Sequence, residues 1–170
     1  MREFDAQGNT IQSYVTGEEG WVADNILLMK PIIVGSGGSI MIRREAFESV
    51  GGFDERLSVG EDWEFCYRVA RKFKIGFVPE VLFHYRHHNG NAHLNLEKME
   101  RSVLLAYEKA FNTTNEKILR LRRKSYGNFY KILAGSYFSA GNYRMFIKKM
   151  IKSLWLKPSN IQHYIKFPIR

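Results

Sequence analysis

Gly51-Gly52-Phe53-Asp54-Glu55, then Arg56-Leu57-Ser58-Val59, then Gly60-Glu61-Asp62-Trp63-Glu64-Phe65-Cys66-Tyr67-Arg68-Val69-Ala70 is the stretch that decides the fold. The glycine pair stops the helix before it, because glycine accepts the left-handed backbone that ends helices. Beyond Gly60 the apolar positions Phe65, Cys66, Val69, Ala70 and Phe73 recur at intervals of three and four, which predicts an amphipathic helix over 61–73. Glu64 precedes Arg68 by four residues, so a surface ion pair is expected. Asp62 shares a helix face with Cys66, Val69 and Phe73, whereas Glu61 lies with Phe65, Arg68 and Lys72. Asp62 therefore belongs in a first turn, where free N–H groups and the helix dipole favour an anion. A buried stripe below it fixes its position.

Working outward, Arg44 to Val50 reads as a short helix, and Ser39 to Ile42 as a buried strand after Gly35-Ser36-Gly37-Gly38. Ile75 to Tyr85 is strand material, with Pro79 forcing an edge or a break. If strand alternation persists to residue 88, His84, Arg86 and His88 share one face and Tyr85 and His87 the other. Residues 1–35 mix turn signals with short apolar runs and predict no definite element. From Leu94 the pattern turns helical, over 95–111 and 115–139, with Asn112-Thr113-Thr114-Asn115 supplying caps between them. Gly141-Asn142 ends the second helix, 143–155 forms a third, and Pro158 begins a short fourth. Tyr137, Gly141, Tyr143, Leu154 and Pro158 resemble the spacing of a tetratricopeptide-type hairpin, a unit that needs neighbours to bury its face.

The chain has 170 residues, 45% of them hydrophobic and 14% aromatic, enough for a core and against disorder. The single cysteine, Cys66, excludes a disulfide framework and a cysteine zinc cluster and fits a reducing cytosol. No run approaches the ~18–20 apolar residues of a membrane span, and the opening residues carry no apolar signal segment. The expected location is the cytoplasm, peripheral to the inner face of the plasma membrane. Charge is polarised along the chain: residues 1–97 hold 10 Lys+Arg against 14 Asp+Glu, and residues 98–170 hold 16 against 3. That split predicts an acidic-leaning chemical half and a basic half that meets anions.

An acidic pair opening a helix is commonly just a cap. Here it stands within an ordered series: Gly37-Gly38-Ser39, Arg43 to Phe47, Val50 to Glu55, Gly60 to Trp63, Arg68 to Ala70, Phe77 to Glu80, and Tyr85-Arg86-His87-His88 with Asn91. In that order these motifs resemble the C-terminal half of the family 2 nucleotide-sugar glycosyltransferases. The resemblance implies an α/β fold: the C-terminal part of a GT-A domain over residues 1–93, followed by a basic helical tail over 94–170. It also implies inverting transfer from a nucleotide-sugar donor to a glycan or lipid-linked acceptor of the cell surface, with a divalent metal, Mn or Mg, holding the diphosphate.

Such a transferase needs one positioned carboxylate to take the acceptor's proton. In the family the Asp of the Glu-Asp pair is that base, which maps to Asp62, while Glu61 positions the acceptor or the loop. Arg86 and His88 map to an Arg and a His that close over the donor diphosphate, and the His ligates the metal in some members. Gly37, Gly38, Asp54 and Trp63 are expected to shape the acceptor cleft, Asp54 in a structural role. Small residues at 37 and 38 would let a sugar approach the backbone. A phosphate-loop reading of Gly35 to Ser39 fails for want of a Walker lysine, and the histidines lack the His-Glu-x-x-His spacing of zinc hydrolases. His87 and His93 are read as surface-loop positions.

The family's nucleotide-binding half and its Asp-x-Asp metal motif are missing; Asp5 and Asp24 stand alone. Turnover and tight donor binding are therefore not expected of this chain by itself. Residues 117–170 contain 13 Lys+Arg and no acid. Lys148, Lys149 and Lys152 flank Phe146, Ile147, Ile151, Leu154 and Trp155, which fits an amphipathic helix at an anionic leaflet with the lysines facing solvent. A solvated basic face on a packed hairpin fits the same residues. No nucleic-acid recognition motif occurs, so nucleic acid is not an expected partner. The competing function is a non-catalytic basic module that docks on membrane or a partner, built on a transferase remnant.

Overall fold

A computed structural model describes residues 1–32, 36–88 and 95–165. The chain divides into two units, Met1–Ile26 with Lys30–Tyr107, and Leu27–Met29 with Glu108–Arg170.

The first unit draws its sheet largely from residues in which the sequence predicts no element. Strand β1 (Arg2–Phe4) pairs antiparallel with β2 (Thr10–Ser13), and Asp5 closes the turn between them by accepting from the Asn9 backbone and side chain at 2.8 and 2.9 Å. Next come α1 (Ala23–Leu27), a 3-10 turn at Ser36–Ser39, and α2 (Arg44–Val50). Gly51 ends α2 with φ 77° and donates its N–H to Phe47, as the glycine pair demands. Helix α3 (Glu61–Ala70) follows, then β3 (His84–Arg86), which runs parallel to β1 and completes the order β2-β1-β3. Helix α4 (Leu96–Phe111) carries the chain onward.

Several expectations are corrected here. Ser39 to Ile42 forms no strand: after the 3-10 turn, Ile40 and Ile42 point into the cluster of Phe65, Cys66 and Val69 while Met41 is fully exposed. The alternation is real, but among the described residues no strand lies alongside to make it a ladder. Within 75–83 only Ile75 bridges, to Gly20, and regular pairing begins at His84, beyond Pro79. Glu64 and Arg68 do pair, at 2.9 Å, but Glu64 is buried rather than on the surface. Arg68 offsets that burial by binding the carboxylate through Nε and the Val50 and Gly52 carbonyls through its terminal nitrogens. Phe53, just after the glycine pair, is half exposed, with its ring 4.8 Å from that of Phe65.

In the second unit α5 (Glu116–Ser139) and α6 (Tyr143–Leu156) form an antiparallel hairpin, followed by a 3-10 turn at Pro158–Asn160 and α7 (Ile161–Ile165). Asn115 caps α5 by accepting from Lys117 and Ile118, and Asn142 caps α6 by accepting from Met145. The end of α6 comes close to α5 at Gly127, where an added Cβ would lie 2.6 Å from the Lys157 Cβ. The bared Gly127 carbonyl accepts from Ser153 Oγ at 2.9 Å and Asn160 Nδ2 at 3.0 Å. Lys149 does not face solvent as its charge suggests. It is 6% exposed, with its ammonium 5.8 Å from the centre of the Tyr130 ring.

Candidate functional site

The site begins with a glycine. Gly60 takes φ 80° immediately before α3, a left-handed conformation that no other residue adopts cheaply. It turns the loop so that three acids, Glu61, Asp62 and Glu64, fall in the first helical turn. Asp62 is half-buried there. Its Oδ1 accepts from the Trp63 N–H at 2.6 Å and its Oδ2 from the Gly37 N–H at 2.9 Å, across 25 residues of chain. Each oxygen keeps a further lone pair, so the carboxylate is oriented by the backbone without being used up. One turn below, burial and then the Asp62 charge push the Cys66 thiol up to about 12, so Cys66 stays a protonated core residue.

Gly37 and Gly38 serve different purposes. A Cβ at Gly37 would meet the Asp62 Cβ at an ordinary 3.6 Å, so the N–H rather than the small size matters. A Cβ at Gly38 would come within 2.8 Å of the Phe83 ring, so there the bare backbone makes room for an aromatic side chain. Phe83 immediately precedes β3. Consecutive residues of one 3-10 turn thus touch Asp62 on one side and the approach to Arg86 on the other.

Strand β3 bears out the alternation: His84, Arg86 and His88 are exposed, and Tyr85 and His87 are half-buried. The Arg86 guanidinium lies 5.2 Å from the centre of the Phe4 ring. His87 lies just beyond β3, as a loop reading has it, but it is tied down. Its Nε2 lies 2.7 Å from the buried Glu3 carboxylate, which also accepts from Tyr14 Oη at 2.7 Å. Burial raises the Glu3 carboxyl, but hydrogen bonds from Tyr14, Gln12 and His87 outweigh it and hold it below the usual 4.5. Burial and the Glu3 contact together push Tyr14 up to about 12. The trio fixes β3 on β1, and with it the outward aim of Arg86 and His88. His93, Asn91 and Gly35 lie outside the described residues.

Glu61 is half-buried beside Asp62 at the head of α3. Trp63 anchors α3 instead of facing open space: its indole N–H donates to the Ile26 carbonyl at 3.2 Å and its ring meets Tyr107 edge-on at 5.4 Å. Asp54 accepts from the Arg56 backbone and guanidinium, holding the loop before Gly60. Beside that loop lies a cleft of about 280 Å³ lined by Arg56, Ser58, Lys98, Arg101, Ser102 and Leu105. Its three cations were not singled out in the sequence. The signal was there, since Lys98, Arg101, Ser102 and Leu105 recur at helical spacing along α4.

Among the described residues no three His, Cys, Asp or Glu side chains gather closely enough to hold a metal ion. His88 therefore has no metal cage around it within the described residues, and these residues alone do not fit the divalent ion that the family resemblance implies.

No curated protein and no solved structure matches the chain. A family description does: glycosyltransferase-like family 2 matches residues 4–125, a span that includes Asp62, the glycine turn, β3 and α4 and ends within α5. The chain belongs to the glycosyltransferase-like family 2 and is a glycosyltransferase-type protein.

Proposed function

We propose that this chain supplies the acceptor-side chemistry of an inverting sugar transfer from a nucleotide-sugar to a glycan or lipid-linked acceptor. The observation that carries the reading is the Asp62 carboxylate, oriented by two backbone N–H groups at the head of α3. In the reaction an acceptor hydroxyl lies against a free lone pair of Asp62. As its oxygen attacks the anomeric carbon, the proton passes to Asp62, the bond from that carbon to the diphosphate breaks, and the nucleoside diphosphate leaves. Attack opposite the leaving group inverts the centre, and Asp62 then releases its proton to solvent.

Glu61 positions the acceptor beside the base, with Gly37, Gly38, Asp54 and Trp63 shaping the surrounding surface. Arg86 and His88, both directed outward from β3, meet the donor diphosphate, a task for which a guanidinium's paired N–H groups are suited. A divalent Mn or Mg ion screening the diphosphate charge would need ligands beyond His88 and the other described residues.

A second reading is favoured by the basic second unit: the chain docks on an anionic membrane surface, at the inner face of the plasma membrane, with or without transfer. Among the described residues no helix is long and apolar enough to cross a membrane, so such contact would be peripheral.

The deciding experiment follows labelled sugar from a panel of nucleotide-sugars into membrane-extracted acceptors, using the protein as its cell makes it. Transfer by the wild type and its loss in Asp62→Asn support the catalytic reading. Equal incorporation by both proteins removes Asp62 from the mechanism.

A further inference from the structure

Helix α6 is apolar on two sides: Met145, Phe146, Met150 and Leu154 are half-buried, and a second apolar row faces outward. The residues it buries are Lys149 and Ser153, while Tyr143, Ile147, Ile151 and Trp155 are 60, 50, 60 and 72% exposed. Those four recur every fourth residue and form a continuous ridge on the outer side. Arg144 and Lys148 each follow a ridge residue by one position and are exposed as well, so a basic row runs beside the ridge, about 100° further round the helix, while the Lys152 ammonium turns back to within 4.3 Å of the Tyr130 ring centre. A surface helix in a globular protein ordinarily points its apolar stripe inward.

The helix cannot simply roll over to hide the ridge. Ser153 Oγ donates to the buried Gly127 carbonyl, and Asn160 Nδ2 donates to both that carbonyl and Ser153 Oγ. Rotation would leave these groups buried without partners, a cost comparable to the gain from covering the isoleucines. Lys157 Nζ, donating to Asn128 Oδ1 at 2.7 Å, ties the far end of the helix to α5 in the same orientation. The apolar ridge is therefore held outward by polar contacts inside.

From this arrangement we infer that the outer face of α6 is an interfacial membrane anchor that lies in the plane of an anionic leaflet. It rests on the membrane-docking reading above and names the element and orientation responsible. Ile147 and Ile151 enter the boundary of the acyl chains. Tyr143 and Trp155, at the two ends of the ridge, sit at headgroup depth, where amphipathic rings are favoured. Arg144 and Lys148 reach the lipid phosphates. Charge also argues against a second copy as the occupant. Residues 117–170 contain 13 Lys+Arg and no acid, so two such faces would bring like charges together.

The test is flotation of the whole chain with vesicles of phosphatidylcholine alone and of phosphatidylcholine with phosphatidylserine. Binding is expected on the anionic vesicles at low salt and lost at high salt. Ile147→Ser/Ile151→Ser should weaken it at least about tenfold, since two half-inserted side chains lose their apolar transfer. Arg144→Gln/Lys148→Gln should weaken it about fivefold per charge. Circular dichroism should be unchanged, because all four side chains are exposed. Anionic binding that survives the isoleucine variant would leave membrane docking in place and overturn the ridge. Absence of binding to either vesicle would overturn both, and so would a dimer in solution dissolved by the same isoleucine substitutions.

Discussion

Replacing Asp62 by Asn tests the site at two levels at once. The carboxylate accepts one N–H through each oxygen, from Trp63 at 2.6 Å and from Gly37 at 2.9 Å. An amide has only one accepting oxygen, so one of these N–H groups must face an NH₂ group. Losing one hydrogen bond to a charged acceptor costs about 1.5–3 kcal/mol, and losing the anion at a helix start adds about 0.3–1 kcal/mol. Part of that is recovered by water at the half-buried site, so a loss of about 2 kcal/mol is expected. Asp62→Ala, which removes both acceptors, should cost more. Gly37→Ala keeps the N–H and fits at 3.6 Å from the Asp62 Cβ, so it should be nearly silent. Urea denaturation of the chain reads all three. In the protein as its cell makes it, Asp62→Asn should also lower transfer by ~10²–10⁴-fold, beyond anything explained by the fraction unfolded. Unchanged stability in Asp62→Asn would refute the tie to Gly37, and unchanged turnover would refute the base.

Other consequences are open to direct measurement. Glu3→Gln should destabilise the sheet by about 2 kcal/mol at neutral pH, since the carboxylate holds both Tyr14 and His87. Its folded carboxyl titrates below 4.5, so the wild-type contribution is whole above that value and is lost as pH falls through the lower folded value. Acid unfolding of the variant should therefore be shallower, and identical acid curves would count against the trio. Gly127→Ala places a methyl 2.6 Å from the Lys157 Cβ; overpacking of about 1–3 kcal/mol should exceed the ~1 kcal/mol helix-propensity gain and lower Tm. A raised Tm would mean that the hairpin is looser than described. Cys66 is buried and its thiol is pushed up to about 12, so native chain at mildly alkaline pH should resist alkylation until denaturant is added. Rapid native labelling would contradict that burial.

The helices were the legible part of this chain because their determinants are local. Asn115 announces α5 by residue type, Gly141-Asn142 marks the break before α6, and the three-and-four spacing of Phe65, Cys66 and Val69 places Asp62 at the head of its stripe. Strands β1 and β2 were not legible: three or four residues each, reading Arg-Glu-Phe and Thr-Ile-Gln-Ser, are too short and too polar to show a period. Their pairing is set by contacts far along the chain. His87 could not be assigned for the same reason, since its partner Glu3 lies 84 residues away. The Asp62–Gly37 contact joins two motifs already singled out, but only the fold supplies the 2.9 Å between them. Lys149 misleads because a lysine reads as solvated by default, whereas its stem and ammonium lie against Tyr130.

The sheet order β2-β1-β3 also dictates a timetable. During synthesis β1 and β2 emerge before β3, as a two-stranded hairpin, a form marginal in water by itself. The parallel partner, His84–Arg86, arrives only after α1, α2 and α3 have been made. Until then the edge of β1 that will receive it is open to pairing with another nascent chain. Closing so long a loop is slow, and docking β3 is the late step that seats His87 on Glu3 and points Arg86 outward. A pause that freed α3 from the ribosome while still holding back β3 would thus leave α3 beside a sheet still waiting for its last strand.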